Sequence, residues 1–224
     1  MPTFDPKLIP LEPDLSFELA LWEAGLPHVA GIDEAGRGAL AGPVAAAAVI
    51  LPPEVGIAGC LKGVRDSKQM TPGQREAARL RILQYAVTWG VGFATVEEID
   101  QLGILPATRL ATGRAIEALR PAPGHLLIDY LFLPEVLVPQ TALIKGDCRS
   151  LSIAAASVLA KTSRDAILRE LDRTYPGYGF ASHKGYGTLA HREALHKLGA
   201  SPVHRLSFAL FGRAEIHEDK KKQE

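Results

Sequence analysis

The feature that most constrains this chain is a pair of adjacent carboxylates at the end of a short apolar run, in Gly31-Ile32-Asp33-Glu34-Ala35-Gly36-Arg37-Gly38. Residues 27–32 read as a short buried strand, and an Asp-Glu pair at its exit is costly unless something cationic compensates it. A divalent metal is the obvious candidate. Two further apolar runs end in the same way: Asp129 follows Leu126-Leu127-Ile128, and Asp147 follows Ala142-Leu143-Ile144-Lys145-Gly146. Three strand exits therefore offer four acids. Ligands at the strand ends of an open α/β sheet can converge on one edge, and converging carboxylates repel unless hard cations such as Mg²⁺ or Mn²⁺ sit among them. Each aspartate taken alone is equally a turn former that bonds its own backbone. The coincidence of three exits carries the metal reading, and oxygen-only ligation points away from zinc. Because neighbouring residues of a regular strand point to opposite faces, a shared metal requires the chain to bend after Asp33, which Ala35-Gly36 permits.

The rest of the chain alternates elements. A short helix over 15–23 precedes strands over 27–33, 44–51 and 87–96. Thr71-Pro72-Gly73-Gln74 is a capping box with Pro at the first helical position, launching a helix to about residue 86. A helix over 105–119, strands over 125–129 and 141–145, a long helix over 151–174 and a last one over 188–197 complete the series. The pattern predicts a mixed α/β sheet flanked by helices, with a helical C-terminal part. The expected organisation is an N-terminal extension (1–26), a catalytic domain (27–211) and a disordered polar tail (212–224).

Composition limits the alternatives. With 47% hydrophobic and only 6% aromatic residues, the core must be aliphatic. Cys60 and Cys148 stand far apart without ligand spacing, which indicates neither a disulfide framework nor a zinc site and fits a reducing cytoplasm. Every apolar stretch is broken well before it could span a bilayer, so no membrane partner is expected. Net charge is +0 but unevenly spread: residues 1–60 hold two Lys/Arg against eight Asp/Glu, and residues 61–212 hold nineteen against thirteen. The later part suits a polyanion without proving one.

Several segments suit phosphate. Gly36-Arg37-Gly38 allows backbone N–H groups close to a ligand, Asp66-Ser67-Lys68 sets a hydroxyl beside an ammonium, and Lys145-Gly146-Asp147 pairs a cation with a carboxylate. In His183-Lys184-Gly185-Tyr186-Gly187-Thr188, an aromatic ring between glycines can stack a sugar or base or serve as a structural tyrosine. His204 and Arg205 either reach phosphate or pack the last turn.

Taken in order, these motifs, with Ser152-Ile153-Ala154-Ala155-Ala156-Ser157-Val158-Leu159-Ala160-Lys161 and His204-Arg205-Leu206-Ser207-Phe208, make the chain resemble bacterial ribonuclease HII over nearly its whole length. The resemblance implies an RNase H-like sheet and an endonuclease that cuts the RNA strand of RNA/DNA hybrids and nicks duplex DNA 5′ of embedded ribonucleotides. It implies a metal site of Asp33, Glu34, Asp129 and Asp147, with Asp165 the competitor for the last place. Gly36, Arg37 and Gly38 would meet the ribonucleotide through its 2′-OH and phosphate, with Tyr186 stacked at the RNA-to-DNA junction. Ser67, Lys68, Lys145, His204 and Arg205 complete the expected substrate contacts. The expected reaction is two-metal hydrolysis leaving 5′-phosphate and 3′-OH ends, by a monomer using two Mg²⁺ or Mn²⁺ ions. A different class, a hybrid-binding module without activity, would need basic and stacking residues but not four acids at strand exits.

Overall fold

A computed structural model describes residues 9–211; the first eight residues of the expected extension and the whole expected tail, 212–224, lie outside the described residues. Five strands form one mixed sheet: β1 Val29–Ala35, β2 Val44–Ile50, β3 Thr88–Ala94, β4 His125–Asp129 and β5 Gln140–Leu143, in the order β3-β2-β1-β4-β5. β1 is antiparallel to β2 and β2 to β3, whereas β1, β4 and β5 run parallel. The parallel trio therefore ends at one edge of the sheet. Register pairs Ile32 with Ile128, which sets Asp33 and Asp129 side by side as the next residues along.

The helices are α1 Ser16–Glu23, α2 Ile57–Cys60, α3 Pro72–Tyr85, α4 Val96–Leu102, α5 Ile104–Glu117, α6 Leu151–Thr174, α7 Phe180–His183 and α8 Leu189–Leu198. β2, Val-Ala-Ala-Ala-Ala-Val-Ile, is buried at every position because helices cover both of its faces. Ala47 and Val49 join α6 and α3 in one core cluster, while Ala48 and Ile50 join Ala115 of α5 in another. Small side chains let the helices sit close to the sheet: a Cβ on Gly31 would fall 2.1 Å from the Ser152 carbonyl carbon. The first ten residues of α6 are all buried, as befits a helix enclosed on every side. Its N-terminus is closed by Glu18 of α1, whose Oε1 accepts from Ser150 Oγ (2.6 Å), Ser152 N (2.9 Å) and Ser152 Oγ (2.6 Å), placing an anion at the positive end of the helix. Among the described residues, no helix is long and apolar enough to cross a membrane.

Three boundaries differ from expectation. β1 continues through Asp33 and Glu34 to Ala35, paired with β2 at each step, so the bend comes at Gly36 (φ 94°) and not directly after Asp33. β3 stops at Ala94 because Thr95 caps α4, with Thr95 Oγ1 accepting from Glu98 N and Glu98 Oε2 from Thr95 N. β5 ends at Leu143, since Lys145 turns left-handed (φ 53°) into the short helical turn Gly146–Cys148.

Candidate active site

Because β1, β4 and β5 end together, their terminal acids share one pocket of field. Asp33 is 3% exposed and Asp147 5%, whereas Glu34 and Asp129 are half-buried. Asp33 Oδ1 accepts from Glu34 N at 2.7 Å, but Oδ2 is buried with no hydrogen-bond partner. Asp129 Oδ1 accepts from Gly146 N at 2.7 Å, which ties the β4 exit to the turn carrying Asp147. Burial, then the charges of Glu34, Asp129 and Asp147, holds the Asp33 carboxyl well above its ordinary range. Burial also raises Asp129, and burial with Asp129 and Asp66 pushes Asp147 up to about 6.

One cation meets this field. Lys68 Nζ lies 3.8 Å from Asp147 Oδ2 and 3.9 Å from Asp66 Oδ1. Burial works to lower its pKa, but Asp66, Asp33, Asp147 and Asp129 together raise it. Asp66, the N-cap of the turn Ser67–Gln69, was not singled out as a ligand from sequence. Yet Asp66, Asp147 and Cys148 are the one trio among the described residues whose donor atoms all lie within 4.8 Å of one another. The Cys148 thiol is pushed up to about 11 by burial and by Asp147, so it stays protonated near neutral pH.

The charge of this set suits a divalent cation, although among the described residues no three of Asp33, Glu34, Asp129 and Asp147 bring their donor atoms within 4.8 Å of one another, as Asp66, Asp147 and Cys148 do. The crowded oxygens are hard donors, they repel one another, and the unpartnered Asp33 Oδ2 is a buried acceptor awaiting a positive partner. Asp165 is buried on α6 and paired with Lys161 Nζ at 2.7 Å, and it lines neither cavity beside the strand-exit acids.

Beside the acids, a cavity is walled by Glu34, Arg37, Gly38, Lys68, Lys161 and Tyr186, and an adjoining one by Asp66, Asp129, Tyr130, Lys145, Asp147 and Cys148, with Lys68 lining both. Arg37 is exposed and pairs with Glu34 Oε1 at 3.0 Å. Ser67 is buried and lines this cavity, its Oγ 3.0 Å from Ser157 Oγ. Tyr186 is 37% exposed, its ring centroid 5.8 Å from Lys161 Nζ and 5.5 Å from Arg164 Cζ. Lys161 stands in this cavity although sequence reasoning did not select it; its one signal was its place in the alanine-rich motif.

His204 and Arg205 are a correction. They are 1% and 0% exposed and do not line either cavity, so they do not reach a phosphate. Arg205 Nε and Nη2 donate to Gly42 O (3.0 and 2.9 Å) and Nη1 to Arg37 O (2.9 Å), fastening the loop that presents Arg37. Arg164, equally buried, donates to Pro43 O, Lys184 O and Ala41 O at 2.8–2.9 Å. Gly36 lies against it: a Cβ there would fall 1.9 Å from Arg164 Nε. Arg205, expected to contact substrate, and Arg164, not singled out from sequence, thus build the floor of the loop.

Comparison with known proteins agrees with this arrangement. The family model described as Ribonuclease HII matches residues 30–211. The chain is 53% identical over 194 residues to the ribonuclease HII of Anaeromyxobacter sp. (strain Fw109-5), covering 87% of this chain and 60% of that protein. It is 50% identical over 202 residues to that of Dehalococcoides mccartyi (strain ATCC BAA-2266 / KCTC 15142 / 195), covering 88% and 93%. Among solved structures, ribonuclease H2 from Pyrococcus horikoshii OT3 superposes with a TM-score of 0.69 at 25% identity, over 88% of this chain and 99% of that one. Bst-RNase HIII in complex with Mn²⁺ shares the fold with a TM-score of 0.62 at 20% identity, over 86% and 70%. A mixed sheet with acids at three parallel exits, matched by that family model along most of its length, places this chain in the ribonuclease HII family.

Proposed function

We propose that this RNase H-family endonuclease, which acts on RNA/DNA hybrids, also nicks duplex DNA on the 5′ side of a single ribonucleotide, leaving 5′-phosphate and 3′-OH ends. The observation that carries the reading is the buried, unpartnered Asp33 Oδ2 among acids from three strand exits. Asp33, Glu34, Asp129 and Asp147 would hold the divalent ions, two with substrate bound and either Mg²⁺ or Mn²⁺. Bound there, such ions supply Lewis-acid charge for activating water and stabilising the departing 3′ oxygen.

The protein's own groups do the rest. Asp33 anchors the site because β1 is held between β2 and β4 and cannot shift. Arg37, released from Glu34 or shared with it, offers a fork to the phosphate, while Gly38 leaves room for its backbone beside the 2′-OH. Lys68 presents its ammonium 3.8 Å from Asp147, Lys145 lines the same cavity as Asp147, and Ser67 lines the neighbouring cavity that Lys68 shares. Tyr186, flanked by glycines and backed by Lys161 and Arg164, stacks against the sugar where RNA gives way to DNA.

The test is cleavage of a labelled DNA duplex holding one ribonucleotide, beside an all-DNA control, with Mg²⁺ or Mn²⁺ and with chelator. A single metal-dependent nick 5′ of the ribonucleotide, lost in Asp33→Asn while duplex binding persists, is the expected result. Tight binding of an uncut substrate would replace this reading with a binding module.

A further inference from the structure

Behind Tyr186 lies a group of three imidazoles that the proposed reaction does not use. His183 and His191 stack with centroids 4.3 Å apart, His191 Nε2 lies 3.0 Å from His204 Nε2, and all three rings surround Phe180. His191 and His204 are fully enclosed, at 0% and 1% exposure. Burial pulls the pKa of both down, so they are neutral near pH 7.

Backbone N–H groups can only donate, and that fixes the protons of the cluster. Ser201 N approaches His204 Nδ1 at 2.9 Å and Ser201 Oγ does so at 2.8 Å, so Nδ1 accepts and the His204 proton sits on Nε2. The longer approach of Ser201 O to the same nitrogen, 3.3 Å, is no competing bond, because a proton there would meet the Ser201 N–H. The His204 Nε2 proton faces His191 Nε2, which must accept it. His191 therefore carries its own proton on Nδ1, where it is donated to the Tyr186 carbonyl at 2.9 Å. By the same logic, Gly185 N donates to His183 Nδ1 at 3.2 Å, and His183 donates from Nε2 to Tyr178 O at 2.7 Å. A single chain of donation runs from Ser201 through His204 and His191 to the backbone of Tyr186.

That backbone needs an outside hold. Tyr186 stands between Gly185 (φ 77°) and Gly187, which lack the side chains that would narrow the loop's conformations. Tyr186 N donates to His183 O (3.0 Å), Leu40 N to Gly185 O (2.8 Å) and Thr188 N to the Tyr186 carbonyl (2.8 Å), all from neighbouring backbone, and His191 adds a side-chain donor to that same carbonyl from the helix behind it. We propose that His191 and His204 are positioning residues: His191, its ring fixed by the proton it accepts from His204, donates to the Tyr186 carbonyl and so sets the height of the tyrosine ring over the cavity, and with it how sharply the enzyme favours an RNA-to-DNA junction over continuous RNA. The proposal rests on the reading of Tyr186 as the junction-stacking residue.

Four variants and one spectrum test it. His191→Phe keeps the stacked ring and removes the donor; His191→Asn places an amide N–H where Nδ1 stood. The Phe variant is expected to raise KM for the single-ribonucleotide duplex about tenfold, the scale of one hydrogen bond, with kcat within about twofold, and Asn to restore most of the loss. In a Tyr186→Ala background, His191→Phe should add nothing, because its effect passes through that ring. Equal losses in Phe and Asn, persisting in the Tyr186→Ala background, would overturn the proposal and leave His191 a packing residue. Unchanged junction preference in Tyr186→Ala alone would overturn the reading of Tyr186 and the proposal with it. Independently of any variant, ¹⁵N imidazole NMR of the unaltered protein at pH 7 should show protons on His204 Nε2 and His191 Nδ1, and the opposite tautomer at either ring would sink the relay.

Discussion

The polar interior is built by opposite rules in two places. At the strand exits, buried and half-buried carboxylates gather, one oxygen of Asp33 has no partner, and Lys68 leans 3.8 Å from Asp147. Around Arg164 and Arg205, two equally buried guanidiniums direct their N–H groups at the carbonyls of Pro43, Ala41, Lys184, Gly42 and Arg37. Formal charge does not separate these regions, because both hold ionised groups out of water. Satisfaction does. An unpartnered oxygen is not by itself the mark of a site, since Glu18 Oε2 is equally unpartnered where it closes α6; what distinguishes Asp33 is that its open oxygen lies among other acids, whereas the guanidiniums completed by backbone have become part of the scaffold.

The sharpest way to break that contrast is to neutralise one member of each region. Asp33→Asn is expected to cut cleavage by at least about 10³-fold, since it removes an anionic ligand from a charge-driven site. Its thermal stability should hold or rise, because an uncompensated buried charge disappears. Cleavage within tenfold of the parent, or a clear fall in Tm, would place Asp33 with the scaffold. Arg164→Met should do the reverse. Three carbonyls lose their donors, and unfolding in urea should show a loss of about 3–4 kcal/mol. A loss under about 1 kcal/mol would mean that the guanidinium is not what holds the 36–43 loop.

The glycines where the two regions meet sharpen the comparison at smaller scale. Gly36 has φ 94° and its missing Cβ would collide with Arg164, whereas a Cβ on Gly38 meets nothing within 4 Å. Gly36→Ala is therefore expected to cost about 2 kcal/mol or more, and Gly38→Ala within about 0.5 kcal/mol, on the same urea titration. Gly38→Ala should instead raise KM for ribonucleotide-containing duplex, where the backbone must come close to the 2′-OH. Equal stability losses at the two positions would dissolve the distinction.

How much of this was legible in the sequence follows the same division. Acids closing apolar runs could be read because strand exits have a local signature, and the Thr71 capping box could be read because its bonds span three residues. The equivalent box at Thr95 and Glu98 carried the same signal but was absorbed into the strand before it, so α4 went unseen. Asp66, Lys161 and Arg164 reach the site only through tertiary packing, and no local pattern announces that. His204 and Arg205 were misread for a related reason: a histidine and an arginine together look like a phosphate contact until burial shows that backbone and neighbouring rings have claimed their hydrogen bonds.

The pH dependence of stability of the chelator-treated protein sets the two regions directly against each other. Asp147 sits at about 6 in the folded protein against 3.8 for an ordinary aspartate, and Asp33 is raised too. The contribution of Asp147 is full below about pH 4 and lost as pH rises through 6, and that of Asp33 acts in the same direction, because the unfolded chain then binds fewer protons. His191 is pulled down to about 4 from 6.5 by burial, with His183, His204 and Arg192 adding to the fall against the Tyr186 carbonyl, and His204 is lowered as well. The histidine contribution is full above pH 6.5 and lost as pH falls towards 4, because the unfolded chain then binds more protons. Between pH 4 and 6.5 the two slopes oppose, and urea unfolding of the parent should change little across that window. Asp147→Asn should expose the histidine slope, with stability falling on acidification, and His191→Phe should expose the carboxylate slope, with stability falling as pH rises. Each change is expected to be on the order of 1–2 kcal/mol across the window. Slopes that move in the same direction in both variants would show that the acids and the imidazoles are not opposed; saturating Mg²⁺, which binds only the ionised acids, should abolish the carboxylate slope and leave the histidine slope standing.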